Sequence, residues 1–77
     1  AFIEPTILCD LSDEARFNRE EVFGPVCHIS PFDAEDEVIE RVNDTVYGLA
    51  ACVWTQNLDR AHRVAPQLET GIVWVNT

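Results

Sequence analysis

The run Arg19-Glu20-Glu21-Val22-Phe23-Gly24-Pro25-Val26-Cys27-His28-Ile29 sets two neighbouring carboxylates against an apolar stretch broken by Gly-Pro. A half-exposed surface strand would alternate polar and apolar residues, and a plain core strand would not begin with charge. Two readings follow from the residue types. Glu20 and Glu21 are solvated acids at the start of a strand, or one of them is held there to grip a ligand.

The other chemistry-bearing residues exclude more than they offer. Cys9, Cys27 and Cys52 are odd in number, widely spaced and without a CxxC pair, so they form no disulfide framework and fit a reducing cytoplasm. Cys27 and His28 are adjacent, and adjacent strand residues point to opposite faces, so the two cannot share a metal ion. They read as a buried thiol and a satisfied or exposed histidine, and no metal site is expected. His62 reads as a partly buried or surface residue on a helix. Gly24, Gly48 and Gly71 are too far apart for a phosphate-cradling loop, and neither histidine belongs to a nucleophilic triad pattern.

Composition narrows the partners. Fourteen acids against five arginines give a formal net charge of −9, which a nucleic-acid backbone would repel. No apolar run nears the ~20 residues of a membrane helix. With 47% hydrophobic residues in 77, the chain suits a single small folded unit.

The elements that must position these residues show in the periodicity. Ala1–Leu11 is β-prone, with Pro5 at an edge or bend. Ser12–Glu21 reads as a loop or one helical turn, with Ser12 as a possible cap. Val22–Phe32 is extended. Asp33 is the expected N-cap of a helix whose first turn carries Glu35, Asp36 and Glu37, whose apolar stripe is Val38, Ile39 and Val42, and which stops near Asn43-Asp44. Tyr47–Thr55 is apolar on both faces, as in a strand covered on two sides. Asn57 is placed to cap a helix from Leu58 to Glu69, with Gly71 just past its end. Pro66 conflicts with that helix and should kink or shorten it. Ile72–Asn76 closes as a strand. From Val26 the order is β-α-β-α-β, an α/β layer of parallel strands.

Three ordered strings carry a resemblance. "EEVFGPV", "NDTVYGLAACVWT" and "TGIVWVN", preceded by "FIEPTIL", resemble the C-terminal part of the catalytic domain of the aldehyde dehydrogenase superfamily, across essentially the whole chain. The resemblance implies that the second acid of E-E-x-F-G-P, Glu21, reaches the nicotinamide-side ribose, and that Phe23 packs near the nicotinamide of NAD or NADP. The residue types suit those roles. A carboxylate can accept from two vicinal hydroxyls in strong charge-assisted bonds. A phenylalanine offers a flat apolar wall, Gly24 admits close approach, and Pro25 fixes the exit. Glu20 keeps a solvated or salt-bridged role.

The same resemblance implies what the chain lacks. The family's nucleophilic cysteine, general-base glutamate and oxyanion asparagine lie upstream, and Cys9, Cys27 and Cys52 match none of their context, so no catalytic residue is assigned. Residues 1–77 read as a partial catalytic domain, without the dinucleotide-binding domain and nucleophile segment, ending just before the substrate-contacting loop. The implied parent oxidises an aldehyde to a carboxylic acid with NAD(P)+: a cysteine thiolate attacks, hydride passes to nicotinamide, and water hydrolyses the thioester. "FGPVCHISPFD" and "RAHRVAPQLETGIVWVN" are most similar to the hydroxymuconic and aminomuconic semialdehyde dehydrogenases of aromatic-ring degradation. The expected partners are the remainder of the parent enzyme, its aldehyde and further copies in a dimer or tetramer, in the cytoplasm. The alternative is a free-standing acidic α/β interaction or regulatory module without catalysis. The isolated chain is expected to form no NADH from an aldehyde.

Overall fold

Thr6–Leu8 (β1) and Val26–His28 (β2) pair in parallel, in the register Thr6↔Val26, Ile7↔Cys27 and Leu8↔His28. The computed structural model describes residues 3–77, so the start of the first β-prone stretch, Ala1 and Phe2, lies outside the described residues. Between the two strands runs Arg16–Arg19 (α1), the single helical turn expected there. Ser12 is not its cap, because the cap position falls on Ala15. Ser12 instead organises the turn before it: its hydroxyl accepts from the Glu14 N–H at 3.1 Å and its carbonyl from the Ala15 N–H at 2.9 Å.

The chain divides into two compact units, one up to Phe32 and one from Asp33 to Thr77. In the second, Ala50–Val53 (β3) and Ile72–Val75 (β4) pair in parallel from Ala50↔Ile72 to Val53↔Val75. Glu35–Asn43 (α2) precedes β3, and Leu58–Val64 (α3) joins β3 to β4. The parallel α/β character is as expected. The ladder partners are β1 with β2 in the first unit and β3 with β4 in the second.

Ile39, Ala61 and Val64 form the buried apolar cluster of the second unit. Around it the expected two-sided burial is not reached. Ala50 and Cys52 are exposed while Ala51 and Val53 are half-buried, and Leu58 and Val42 are exposed as well. All three cysteines are exposed, against the expectation of buried thiols. In a two-stranded ladder alternate side chains point to opposite faces, and β3 shows that alternation of exposed and half-buried residues.

Helix ends account for the remaining differences. At α2 the cap position falls on Ala34, one residue after the expected Asp33, and no side chain caps it. At α3 the expectation holds, with the Asn57 Oδ1 accepting from the Arg60 N–H at 3.0 Å. Pro66 acts as expected. It has no N–H to give the His62 carbonyl, so the α-helix stops at Val64 and tightens into a 3₁₀ turn over Ala65–Gln67. The Gln67 side-chain amide then donates to the Arg63 carbonyl at 2.7 Å, replacing the backbone bond an unbroken helix would have made. Gly71 is therefore no helix terminus and has no positive φ. It leads into β4, where its N–H donates to the Gly48 carbonyl at 2.9 Å.

Helix α2 is tied to the rest of its unit at both ends. The Asn43 carboxamide donates to the Gln67 carbonyl at 2.8 Å and accepts from the Glu69 N–H at 2.9 Å. At the other end Glu35 takes both oxygens to Arg63, each at 2.8 Å, and accepts from Arg60 at 3.2 Å. The Arg63 hydrogen bonds, with the charges of Arg63 and Arg60, hold the Glu35 carboxyl below its ordinary value of 4.5.

A carboxyl whose pKa is depressed on folding stabilises the fold above its unfolded value and ceases to do so as pH falls through the folded value. Glu35→Gln should therefore melt below wild type at neutral pH, and the gap should close on acidification to about pH 3. Melting temperatures of both proteins across that range check it. A gap that stays constant with pH would show that the charge is not what ties α2 to α3.

Candidate functional site

Residues 21–25 form an irregular segment held at each end. On one side Glu20 closes α1: its N–H donates to the Arg16 carbonyl at 3.0 Å, and its carboxylate accepts from the Arg16 Nε at 2.9 Å. Of the solvated and salt-bridged roles open to Glu20, the structure shows the salt-bridged one. On the other side the Pro25 carbonyl accepts from the Thr6 N–H at 2.8 Å, the first rung beside β2. Between these anchors stand Glu21, exposed, and Phe23, whose surface is 91% exposed.

A phenylalanine this open leaves a large apolar face in water, where transfer to an apolar contact is favourable by roughly 25 cal/mol per Å². Glu21, two residues earlier, is exposed as well and carries a carboxylate. A ligand with a hydroxylated part and a flat apolar ring matches that pair, so the residues present fit a nicotinamide riboside. Gly24 has no neighbouring atom within 4 Å of where a Cβ would sit and no positive φ, so neither packing nor backbone strain requires a glycine there. Space for an incoming group is the property it keeps.

The remaining candidates have structural roles or none. The His28 Nε2 accepts from the Leu11 N–H at 3.4 Å, which ties the loop after β1 to β2. His62 is exposed on α3. The Cys52 thiol donates to the Thr77 carbonyl at 3.6 Å. Among the described residues no three His, Cys, Asp or Glu side chains are grouped as a metal ion would need. No helix of the described chain is long and apolar enough to cross a membrane. A separate open groove, lined by Trp54, Thr55, Gln56 and Asn76, lies at the carboxyl ends of β3 and β4. The sequence signal at Asn76 is slight: an Asn directly after a strand is a residue type that adopts left-handed backbone.

Comparison with known proteins identifies the family. The description "Aldehyde dehydrogenase family" matches residues 1–77. The chain belongs to the aldehyde dehydrogenase family. It is 62% identical over all 77 residues to a 2-aminomuconic 6-semialdehyde dehydrogenase of Pseudomonas sp., and 58% identical to a 2-hydroxymuconic semialdehyde dehydrogenase of Pseudomonas sp. (strain CF600). Both belong to the branch that the lesser motifs resemble. It covers 100% of this chain and 16% of each relative, so the chain spans about one sixth of their length. Among solved structures, an indole-3-acetaldehyde dehydrogenase complexed with NAD+ aligns with a TM-score of 0.91 at 48% identity, over 99% of this chain and 15% of that one.

In this aldehyde dehydrogenase segment two glycines should respond in opposite ways. A Cβ at Gly48 would lie 3.1 Å from the Glu69 carbonyl oxygen, tighter than ordinary contact, whereas one at Gly24 meets nothing. Gly48→Ala should lower the melting temperature. Gly24→Ala should hold it or raise it slightly, since a compatible Gly→Ala change contributes about 0.4–1 kcal/mol through the unfolded chain. Loss of stability at Gly24→Ala would show that the glycine serves the fold and not a ligand.

Proposed function

We propose that the full-length protein is an NAD(P)-dependent dehydrogenase that oxidises a muconic-type semialdehyde to the carboxylic acid, and that residues 1–77 are part of its catalytic domain. The dinucleotide-binding domain and the nucleophile segment then belong to the remainder of the parent. The observation that carries this reading is the match along the whole chain to two muconic semialdehyde dehydrogenases at 62% and 58% identity. The free-standing module lacks any comparable support. A homo-oligomeric enzyme in the reducing cytoplasm completes the proposal.

Within it Glu21 and Phe23 are the cofactor-binding residues. The nicotinamide, when bound, supplies the hydride acceptor. Glu21 would accept hydrogen bonds from the hydroxyls of the adjoining ribose, and Phe23 would offer an apolar wall to the nicotinamide, so that the two would orient it. Neither residue moves a proton. Their part is orientation, and orientation enters the rate more than the affinity, because most of a dinucleotide's contacts are made elsewhere.

Glu21→Gln keeps the size but weakens charge-assisted bonds worth about 1.5–3 kcal/mol each, and misplacing a reacting group by about 1 Å can cost about a hundredfold in rate. Glu21→Gln should therefore lower the single-turnover hydride-transfer rate more than it raises the NAD+ dissociation constant. Glu20→Gln, which touches only the pair with Arg16, should change neither by more than a small factor. Equal effects at the two positions, or none at Glu21, would return Glu21 to the role of a solvated acid.

A further inference from the structure

The last backbone rung between β3 and β4 is the Asn76 N–H donating to the Val53 carbonyl at 2.9 Å. Beyond it the ladder is continued by a side chain. The Asn76 Oδ1 accepts from the Thr55 N–H at 2.9 Å, and the Asn76 Nδ2 donates to the Thr55 carbonyl at 3.0 Å. One carboxamide thus satisfies both polar groups of one residue's backbone, as a neighbouring strand would. Asn76 itself has φ 56, left-handed backbone that turns the chain away immediately after that rung. A non-glycine residue rarely adopts this conformation, and asparagine is among the most tolerant of it.

Three requirements therefore coincide at position 76. They are a donor and an acceptor held in one plane, a side chain short enough to reach back to Thr55, and tolerance of positive φ. Asparagine meets all three; aspartate lacks the donor and glycine lacks both bonds. The segment held in this way, Trp54–Gln56, lines the open groove at the carboxyl ends of two parallel strands. In parallel α/β sheets that end is where ligand sites stand.

We infer that Asn76 is a positioning residue: its two hydrogen bonds to the Thr55 backbone fix the Trp54–Gln56 segment at the carboxyl ends of β3 and β4 for the reaction of the parent enzyme. This rests on the dehydrogenase reading above. Asn76 touches no reacting atom in this role. It sets where Trp54, Thr55 and Gln56 stand and the direction in which the chain leaves β4.

The test uses the full-length protein with Asn76→Gly and Asn76→Ala. Glycine keeps the left-handed backbone and loses the two bonds, while alanine loses both features, so the pair separates side-chain positioning from backbone strain. Amide exchange of Thr55, read by hydrogen–deuterium exchange, should lose protection in both variants. In Asn76→Gly, kcat/KM for the aldehyde should fall at least about tenfold, within the hundredfold that a displacement of about 1 Å can cost. Its NAD+ dissociation constant should stay within about twofold of wild type, since a fold-change that small lies below half a kcal/mol. A merely structural Asn76 would lower the melting temperature and leave kcat/KM per folded enzyme unchanged, and that result overturns the inference. So does wild-type turnover by Asn76→Gly with an unprotected Thr55 amide. Failure of the wild-type protein to form NADH from any muconic-type semialdehyde would instead overturn the dehydrogenase reading, and the Thr55 exchange would still report whether the bond exists.

Discussion

Four residues, Glu21 to Gly24, are strung between two hydrogen-bonded anchors. At one end Glu20 is bound to Arg16 through both its backbone and its carboxylate, and at the other the Pro25 carbonyl takes the Thr6 N–H. Everything attributed to Glu21 and Phe23 depends on this suspension. A loop tethered only by sequence would give an exposed carboxylate many positions, and the entropy of choosing one would weaken any ligand contact. With both ends fixed by bonds of 2.8–3.0 Å, the segment can turn two side chains outward without help from a packed core. Glu20, the acid nearest α1, is part of the anchor itself.

The second unit solves a related problem with polar clasps. Only Ile39, Ala61 and Val64 are buried, too small a cluster to define the placement of two helices by packing alone. Glu35 with Arg63 and Arg60, and Asn43 with Gln67 and Glu69, hold α2 at its two ends. Asn76 with Thr55 does the same for the far end of the β3–β4 ladder. Bidentate partners suit this task because two parallel bonds fix an angle as well as a distance. The Glu35 clasp is exposed and is weakened by salt and acid, whereas the two asparagine clasps are neutral and unaffected by either.

Much of this was legible in the sequence, and the limits follow from what a one-dimensional pattern contains. Asn57 as a cap and Pro66 as a helix stop depend on neighbours within a few residues, and each stands where the pattern puts it. Family membership was legible because three strings fall in a fixed order. Ladder partnership was not, since periodicity marks a strand but not its neighbour, and the partner of β2 is β1. Asp33 lost the cap to Ala34 by one residue, a shift smaller than pattern reading resolves. Gly71 was read as a helix terminus because the helix was carried past Pro66. The clasps at Asn43 and Asn76 join residues 21 to 26 positions apart, and nothing local announces them.

The central claim is that the suspended segment presents Glu21 and Phe23 to the nicotinamide end of the cofactor. A crystal structure of the full-length protein with NAD+ tests it most directly. The account predicts Glu21 carboxylate oxygens about 2.6–3.2 Å from the hydroxyls of the nicotinamide-side ribose, with the Phe23 ring against the nicotinamide and Glu20 still paired with Arg16. A ribose held by other residues, with Glu21 turned to solvent, would contradict it.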